Sequence, residues 1–321
     1  MQKQPSGGHT DPLSDALSAM HMDSGVLGLF EFGAPWAVFH PSLKGVLCHI
    51  VAEGQCFCTA TDGSAITLRK GDFIAFPHGD AHTLGAEPGK EGTPVSTLLN
   101  SIGHPLWRPQ SQYPAPVHYR SGGGGERTII IDLVSEFPDP QRNPLLRALP
   151  RIIHIPAERL KVLGWLDLFL EFIATKDSTP KSGYAAAISR LADLIFIQAV
   201  RVHLETDGHE TRGILRGLLH PRISRALQVI HTSPDQNWTV ASLAKEAGMS
   251  RTHFALEFFA CVGETPIHYL TEWRMHLAVR RLASGMTVSV VSDQLGYASP
   301  ISFARTFKRV VGLNPSSYRS E

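Results

Sequence analysis

Ile301, Arg305 and Lys308 fall at i, i+4 and i+7, with Arg309 beside them. On a helix that spacing gathers one face, so an apolar tip and three cations would project together. Groups set this way can contact base edges in a major groove and neutralise phosphates. The stretch is also a second copy. Phe254, Ala255, Phe258, Val262, Gly263 and Pro266 recur 49 positions later as Phe303, Ala304, Phe307, Val311, Gly312 and Pro315. In the first copy the corresponding face carries Arg251, Thr252, Ala255 and Leu256, with His253 nearby.

Each copy needs elements to hold it. TVASLAKEAG at 239–248 and TVSVVSDQLG at 287–296 are amphipathic helices that close on a glycine, where a left-handed residue ends a helix. Ser250 and Ser299 then offer N-cap hydroxyls, and a second helix begins. Helix, glycine turn and capped helix make a helix-turn-helix unit. In the second helices Phe254, Phe258 and Val262, or Phe303, Phe307 and Val311, face inward at i, i+4 and i+8. Between the copies, Ile267, Leu270, Trp273, Leu277 and Leu282 suit one long joining helix. Reading helices about 34 Å apart, one DNA turn, would enter successive major-groove segments. An α-solenoid fragment is the competing account, but stacked arrays need at least about three repeats to bury their faces.

Residues 222–319 resemble the DNA-binding domain of the AraC family of bacterial transcription regulators. The resemblance rests on both helix-turn-helix units, the segment WRMHLAVRRLASG and the closing stretch GYASPISFARTFKRVVGLNPSSYR. It implies double-stranded operator DNA as a partner, bound by both reading helices. It also implies a homodimer, with RNA polymerase a possible further partner, and a small-molecule effector. The predicted DNA-binding set is Ser250, Arg251, Thr252, His253, Ala255, Leu256, Ser299, Ile301, Arg305, Lys308 and Arg309. One departure stands out: Leu256 and Glu257 lie where such members commonly carry basic residues. Leu256 can pack on a thymine methyl, and Glu257 can either accept from cytosine N4 or stay solvated.

The N-terminal half reads differently. From Leu27 to about Leu133, apolar stretches of four to eight residues alternate with Gly, Pro and Asp, as in a small barrel. GDFIAFPHGDAH at 71–82 resembles the second cupin signature, and His49 and Glu53 stand where the first carries a histidine and a glutamate; Leu47 replaces the other histidine. This resemblance implies a cupin-like sensor barrel. His49, Glu53 and His82 would converge at its mouth, and two imidazoles with a carboxylate suit zinc or ferrous iron. The alternatives are hydrogen bonding within the barrel or contact with an organic effector. Trp36 joins these three as a candidate effector residue, although Trp36, Phe39, Phe57, Phe73, Phe76 and Trp107 also suit plain core.

The predicted fold class is α+β: a cupin-like β-barrel with a helical pair, then an all-α domain of two helix-turn-helix units. The predicted boundaries are a disordered tail at 1–11, the barrel at 12–156, a helical linker and dimerisation region at 157–213, and the DNA-binding domain at 214–321. Helices are expected over 157–174 and 184–204, with an apolar stripe to spare for a dimer seam. Net charge is +1, yet residues 222–321 hold 11 Lys and Arg against 7 Asp and Glu, leaving the rest at −3. That asymmetry suits contact with an anionic polymer at one end. No apolar run long enough for a membrane and no export signal is legible, so the expected location is cytoplasmic. Four cysteines without CxxC spacing suit reduced thiols. No Ser/His/Asp order, Walker loop or carboxylate pair supports catalysis, and the incomplete metal set argues against a cupin enzyme.

Overall fold

A computed structural model describes residues 13–14, 17, 22–104, 116–137, 140, 143–160, 173, 183–207 and 213–318. The chain divides into two compact units, one of residues 22–140 and 150–207, the other of residues 1–21, 141–149 and 208–321. The segment 141–149, read from sequence as the end of the barrel, clusters with the helical unit.

The strand-rich unit contains β1 (Asp23–Gly33), β2 (Ala37–His40), β3 (Val46–Glu53), β4 (Gln55–Ala60), β5 (Ala65–Arg69), β6 (Phe73–Phe76), β7 (His82–Gly85) and β8 (Thr93–Pro94). A short helix α1 (Val95–Ser101), then β9 (Val117–Gly122), β10 (Arg127–Glu136) and β11 (Ile153–Ile155) follow. The strands form two sheets, ordered β11-β6-β3-β10-β1-β9 and β5-β4-β7-β2-β8. Among the described residues no ladder joins the sheets into a closed barrel. Their inner faces share one core, with Phe30, Ile74, Phe76 and Ile130 from the first sheet and Val38, Cys58, Leu68 and Leu84 from the second.

β3 is buried from Val46 to Val51, on both faces, because a helix covers the outer side of its sheet. That helix, α4 (Tyr184–Asp207), packs on β1 and β10. Ile188, Ile195, Phe196, Ala199 and Val200 form its buried stripe, so the sheet takes up most of the apolar face read as a dimer seam, and Leu194 is left 37% exposed. A one-turn helix, α3 (Ala157–Leu160), precedes it, while most of the helix expected over 157–174 lies outside the described residues. Asp72 joins β6 to α3 by accepting from Ala157 N at 2.9 Å. Gly79 has φ +66°, and a Cβ there would collide with the Leu43 carbonyl oxygen, which is why GDFIAFPHGDAH needs glycine at that turn.

The helical unit holds α2 (Pro144–Ala148), α5 (Ile214–Leu219), α6 (Ile223–Thr232), α7 (Val240–Glu246), α8 (Arg251–Val262), α9 (Pro266–Ala283), α10 (Val288–Gln294) and α11 (Pro300–Val311). The expected doubling is present: α7–α8 and α10–α11 are helix-turn-helix pairs joined by α9. Phe254, Phe258, Phe303 and Phe307 are fully buried; the Phe258 ring meets Tyr269 of α9 at 6.0 Å, and the Phe303 and Phe307 rings meet Tyr297 at 5.4 Å and Tyr318 at 5.5 Å. Burying each phenyl contributes about 1.5–3 kcal/mol. Of the predicted inward positions on α9, Leu270, Trp273, Leu277 and Leu282 are buried, but Ile267 is 38% exposed. The first turn of α9 instead turns Pro266 and Tyr269 inward.

Candidate functional site

The two reading helices start alike. Ser250 caps α8 by accepting from His253 N at 3.4 Å, and Ser299 caps α11 by accepting from Ser302 N at 3.2 Å. Both helices stop at a left-handed glycine, Gly263 at φ +87° and Gly312 at φ +85°. Their buried sides being equivalent, the outward sides face solvent at matching positions.

On α11, Arg305, Lys308 and Arg309 are exposed, Ile301 is 70% exposed, and none of the three cations forms an ion pair among the described residues. On α8, Arg251, Thr252 and His253 are exposed, Ala255 is half-buried, and Leu256 is 68% exposed. Glu257 is half-buried and lies near two histidines. Its Oε1 lies 3.4 Å from His220 Nε2, and Oε2 lies 3.8 Å from His253 Nε2. His220 Nδ1 accepts from the Arg222 and Ile223 amides at 3.2 and 3.1 Å, so its ring proton sits on Nε2 and points to Glu257. This clamp ties the start of α6 to the reading helix.

Arg274 was not singled out from sequence. From α9 it donates through Nε to the Pro234 carbonyl at 2.6 Å and through a terminal nitrogen to the Gln236 carbonyl at 2.9 Å. Its guanidinium also lies 5.5 Å from the centre of the Tyr297 ring. One side chain thus grips the loop before α7 and the turn before α11. Burial lowers its pKa, opposed chiefly by Tyr297. An arginine inside an otherwise apolar α9 stripe was the available signal.

In the strand-rich unit, His49 and His82 do meet, with their Nε2 atoms 2.8 Å apart. Glu53 does not join them. Its carboxylate pairs with Arg127 at 3.0 Å, because four residues along an extended strand span about 13 Å and carry it out of reach of His49. The third imidazole is His40 of β2, whose ring centre lies 4.7 Å from that of His49 and 5.0 Å from that of His82. The neighbouring carboxylate is Asp132 of β10, 2.6 Å from His49 Nδ1. His40 and Asp132 had sequence signals of their own, a histidine at an inward position of an alternating strand and one acid inside IIIDLV.

All four groups are almost completely buried. Burial holds the His49 imidazole down to about 3 and drives His40 and His82 well below the usual range, while it raises the Asp132 carboxyl to about 6. The Phe76 ring stacks on His82 at 3.6 Å. Beside the cluster is a small cavity lined by Phe32, Trp36, Val38, His40, Leu84 and Asp132, among others. Trp36 is 9% exposed and stacks on Phe32 at 4.5 Å, and its indole N–H has no hydrogen-bond partner among the described residues. Phe73 and Phe76 are core, whereas Trp107 lies outside the described residues. Burial also raises the Cys56 thiol and pushes the Cys58 thiol up to about 12, so both behave as small apolar residues.

Comparison with known proteins agrees with both halves. A family described as Cupin matches residues 11–205, and one described as Helix-turn-helix domain matches residues 243–321. The HTH-type transcriptional regulator AlkR of Acinetobacter baylyi is 29% identical over 97% of this chain and 99% of its own length. A putative AraC-like transcription regulator of Streptomyces lividans is 30% identical over 96% of this chain and 98% of its own. Another, of Streptomyces antibioticus, is 29% identical over 96% and 98%.

Proposed function

The chain belongs to the AraC family of transcription regulators, and we propose that α8 and α11 enter consecutive major-groove segments of one operator while the cavity between the sheets takes a small effector. The family is one of regulators, not enzymes, and its helix-turn-helix domain makes double-stranded DNA the partner. The observation that carries the assignment of contacts is the unpaired cationic face of α11, Arg305, Lys308 and Arg309, beside an exposed Ile301. Such a face is poorly explained by folding, since its three cations are exposed and form no ion pair among the described residues. It suits phosphate and base contact.

Ser250, Arg251, Thr252, His253, Ala255 and Leu256 on the first copy, and Ser299 with Ile301 on the second, complete the proposed surface. The second helix supplies more of the electrostatic affinity. Operator binding measured across a salt series tests this. Arg305→Ala weakens binding and lowers the salt slope by about 0.9, whereas Thr252→Ala leaves the slope unchanged. An equal or larger loss from Thr252→Ala contradicts the assignment.

The effector reading is supported by Trp36, which lines the cavity and whose N–H has no hydrogen-bond partner among the described residues. The cavity as it stands has room for about one water, so a ligand enters by displacing its lining side chains. A ligand acceptor there gains a buried hydrogen bond that the empty protein lacks. An effector that binds one arrangement better than another shifts the regulator between them. Thermal melting against a small-molecule library identifies it, since a specific ligand stabilises by RT ln(1 + [L]/Kd). A homodimer, contact with RNA polymerase and a cytoplasmic location belong to the same proposal, and sedimentation of the full chain tests the first. No helix among the described residues is long and apolar enough to cross a membrane.

A further inference from the structure

His40 and His82 are register partners on β2 and β7, and His49 and Asp132 are register partners on β3 and β10. The pairs belong to different sheets and meet between them. His82 Nδ1 lies 2.9 Å from the Asp80 carbonyl oxygen, which can only accept, so the ring proton of His82 is on Nδ1 and its Nε2 carries a lone pair. Asp132 as a carboxylate also only accepts, so its Oδ1, 2.6 Å from His49 Nδ1, places the His49 proton there. The two Nε2 atoms at 2.8 Å are then both acceptors. Facing lone pairs repel unless a cation lies between them.

A proton is one such cation, but a single proton would link only two of the three imidazoles. His40, His49 and His82 each offer a nitrogen, and all these atoms lie within 4.8 Å of one another. Neutral imidazoles whose remote nitrogens donate to a carboxylate and a backbone carbonyl are the arrangement that transition-metal sites use to fix ring orientation. Three nitrogen donors suit zinc or ferrous iron.

We propose that His40, His49 and His82 hold one divalent transition-metal ion that clasps the two sheets together, with Asp132 and the Asp80 carbonyl positioning two of the rings. This ligand set differs from the one expected from the cupin signatures. Its third histidine comes from β2, and Glu53 is bound to Arg127 instead. His40 and Asp132 also line the cavity beside Trp36, so ion and effector share a wall. A second group, His220, Glu257 and Cys261, has its donor atoms close together. There the His220 Nε2 carries the proton and offers no lone pair, so it does not compete.

The test uses the full chain purified without a histidine tag, stripped with a chelator and reloaded with zinc, ferrous iron or cobalt(II). Elemental analysis is expected to give about one bound metal per chain, with cobalt producing visible absorption and reloading raising the melting temperature. His40→Ala, His49→Ala and His82→Ala each lose at least about tenfold in metal affinity, whereas Glu53→Ala and Cys261→Ser keep it. Because a histidine variant can fail by unfolding, the wild-type titration stands alone: no uptake by the folded chain overturns the site. Loss of metal from Glu53→Ala as complete as from His40→Ala overturns the ligand set.

Discussion

Two helices of this chain share one buried half and differ on the other. At corresponding positions α8 shows Thr252, Leu256, Phe259 and Ala260 where α11 shows Ile301, Arg305, Lys308 and Arg309. Beneath them Phe254 and Phe258 match Phe303 and Phe307, all fully buried. The difference teaches where constraint lies. Close packing restricts a core position to one shape, whereas a solvent-facing position is restricted only by what it must touch. Divergence concentrated on the outer face, with buried Cys261 against Val310 as an inner exception, is what the proposed DNA contact requires if the two copies meet different groups of one site.

If the inner halves are equivalent, truncating them must cost the same. Phe258→Ala and Phe307→Ala are each expected to destabilise the helical unit by about 3–5 kcal/mol, the usual cost of removing a buried phenyl. Urea unfolding followed by tryptophan fluorescence reads this, since Trp273 is buried on α9 of the same unit. A cost below 1 kcal/mol for either would break the equivalence.

The outer faces give the next largest effect. Leu256 occupies the place of Arg305, so Leu256→Arg copies the second face onto the first. Binding to non-specific duplex is expected to rise, with the salt slope steeper by about 0.9. Operator binding rises less, because the thymine-methyl contact open to Leu256 is lost. An unchanged slope would mean that α8 does not approach phosphate.

The copies also differ in their response to acid. His231 of α6 packs against α9, with Nε2 2.7 Å from the Tyr269 hydroxyl and its ring 4.2 Å from that of Trp273. His276 is the other titratable group facing it, and burial with that neighbour lowers His231 to about 3. The unfolded imidazole titrates near ~6.5, so the unfolded state binds a proton first as pH falls. Stability is therefore full above that pH and declines on acidification towards 3, by up to about 1.4 kcal/mol per pH unit from this group. No histidine follows residue 276, so the second pair lacks this dependence. His231→Gln is expected to flatten the profile of urea midpoints between pH 7 and 5; an unaltered slope would move the acid response elsewhere.

What could be read in advance was local. Serine caps, glycine stops and phenylalanines one helical turn apart act within about a dozen residues, so both helix-turn-helix units, and the strands between Leu27 and Leu133, were visible before any coordinates. The histidine site was only half visible. His49 and His82 stood in recognisable signatures, but His40 and Asp132 join them through cross-strand register, which the order of residues does not display. Glu53 was misplaced for the same reason, as its spacing from His49 does not tell where an extended strand carries it. Arg274 acts through two backbone carbonyls about forty residues away, and acceptors of that kind leave no side-chain pattern.

The smallest effect concerns the two caps, and it separates stability from recognition. Ser250→Ala and Ser299→Ala each cost about 1 kcal/mol or less, the shorter hydrogen bond at Ser299 making that variant the costlier. Aspartate caps a helix as well as serine and favours the positive end of its dipole, so Ser250→Asp and Ser299→Asp keep the urea midpoint near that of the wild type. Both add a negative charge at a helix end that, in the proposed complex, points towards phosphate. Operator binding should then fall while folding does not, and it should fall further for Ser299→Asp because α11 carries the phosphate-binding cations. Equal losses would place the two helices at the same depth on the duplex and remove the asymmetry inferred from Arg305, Lys308 and Arg309.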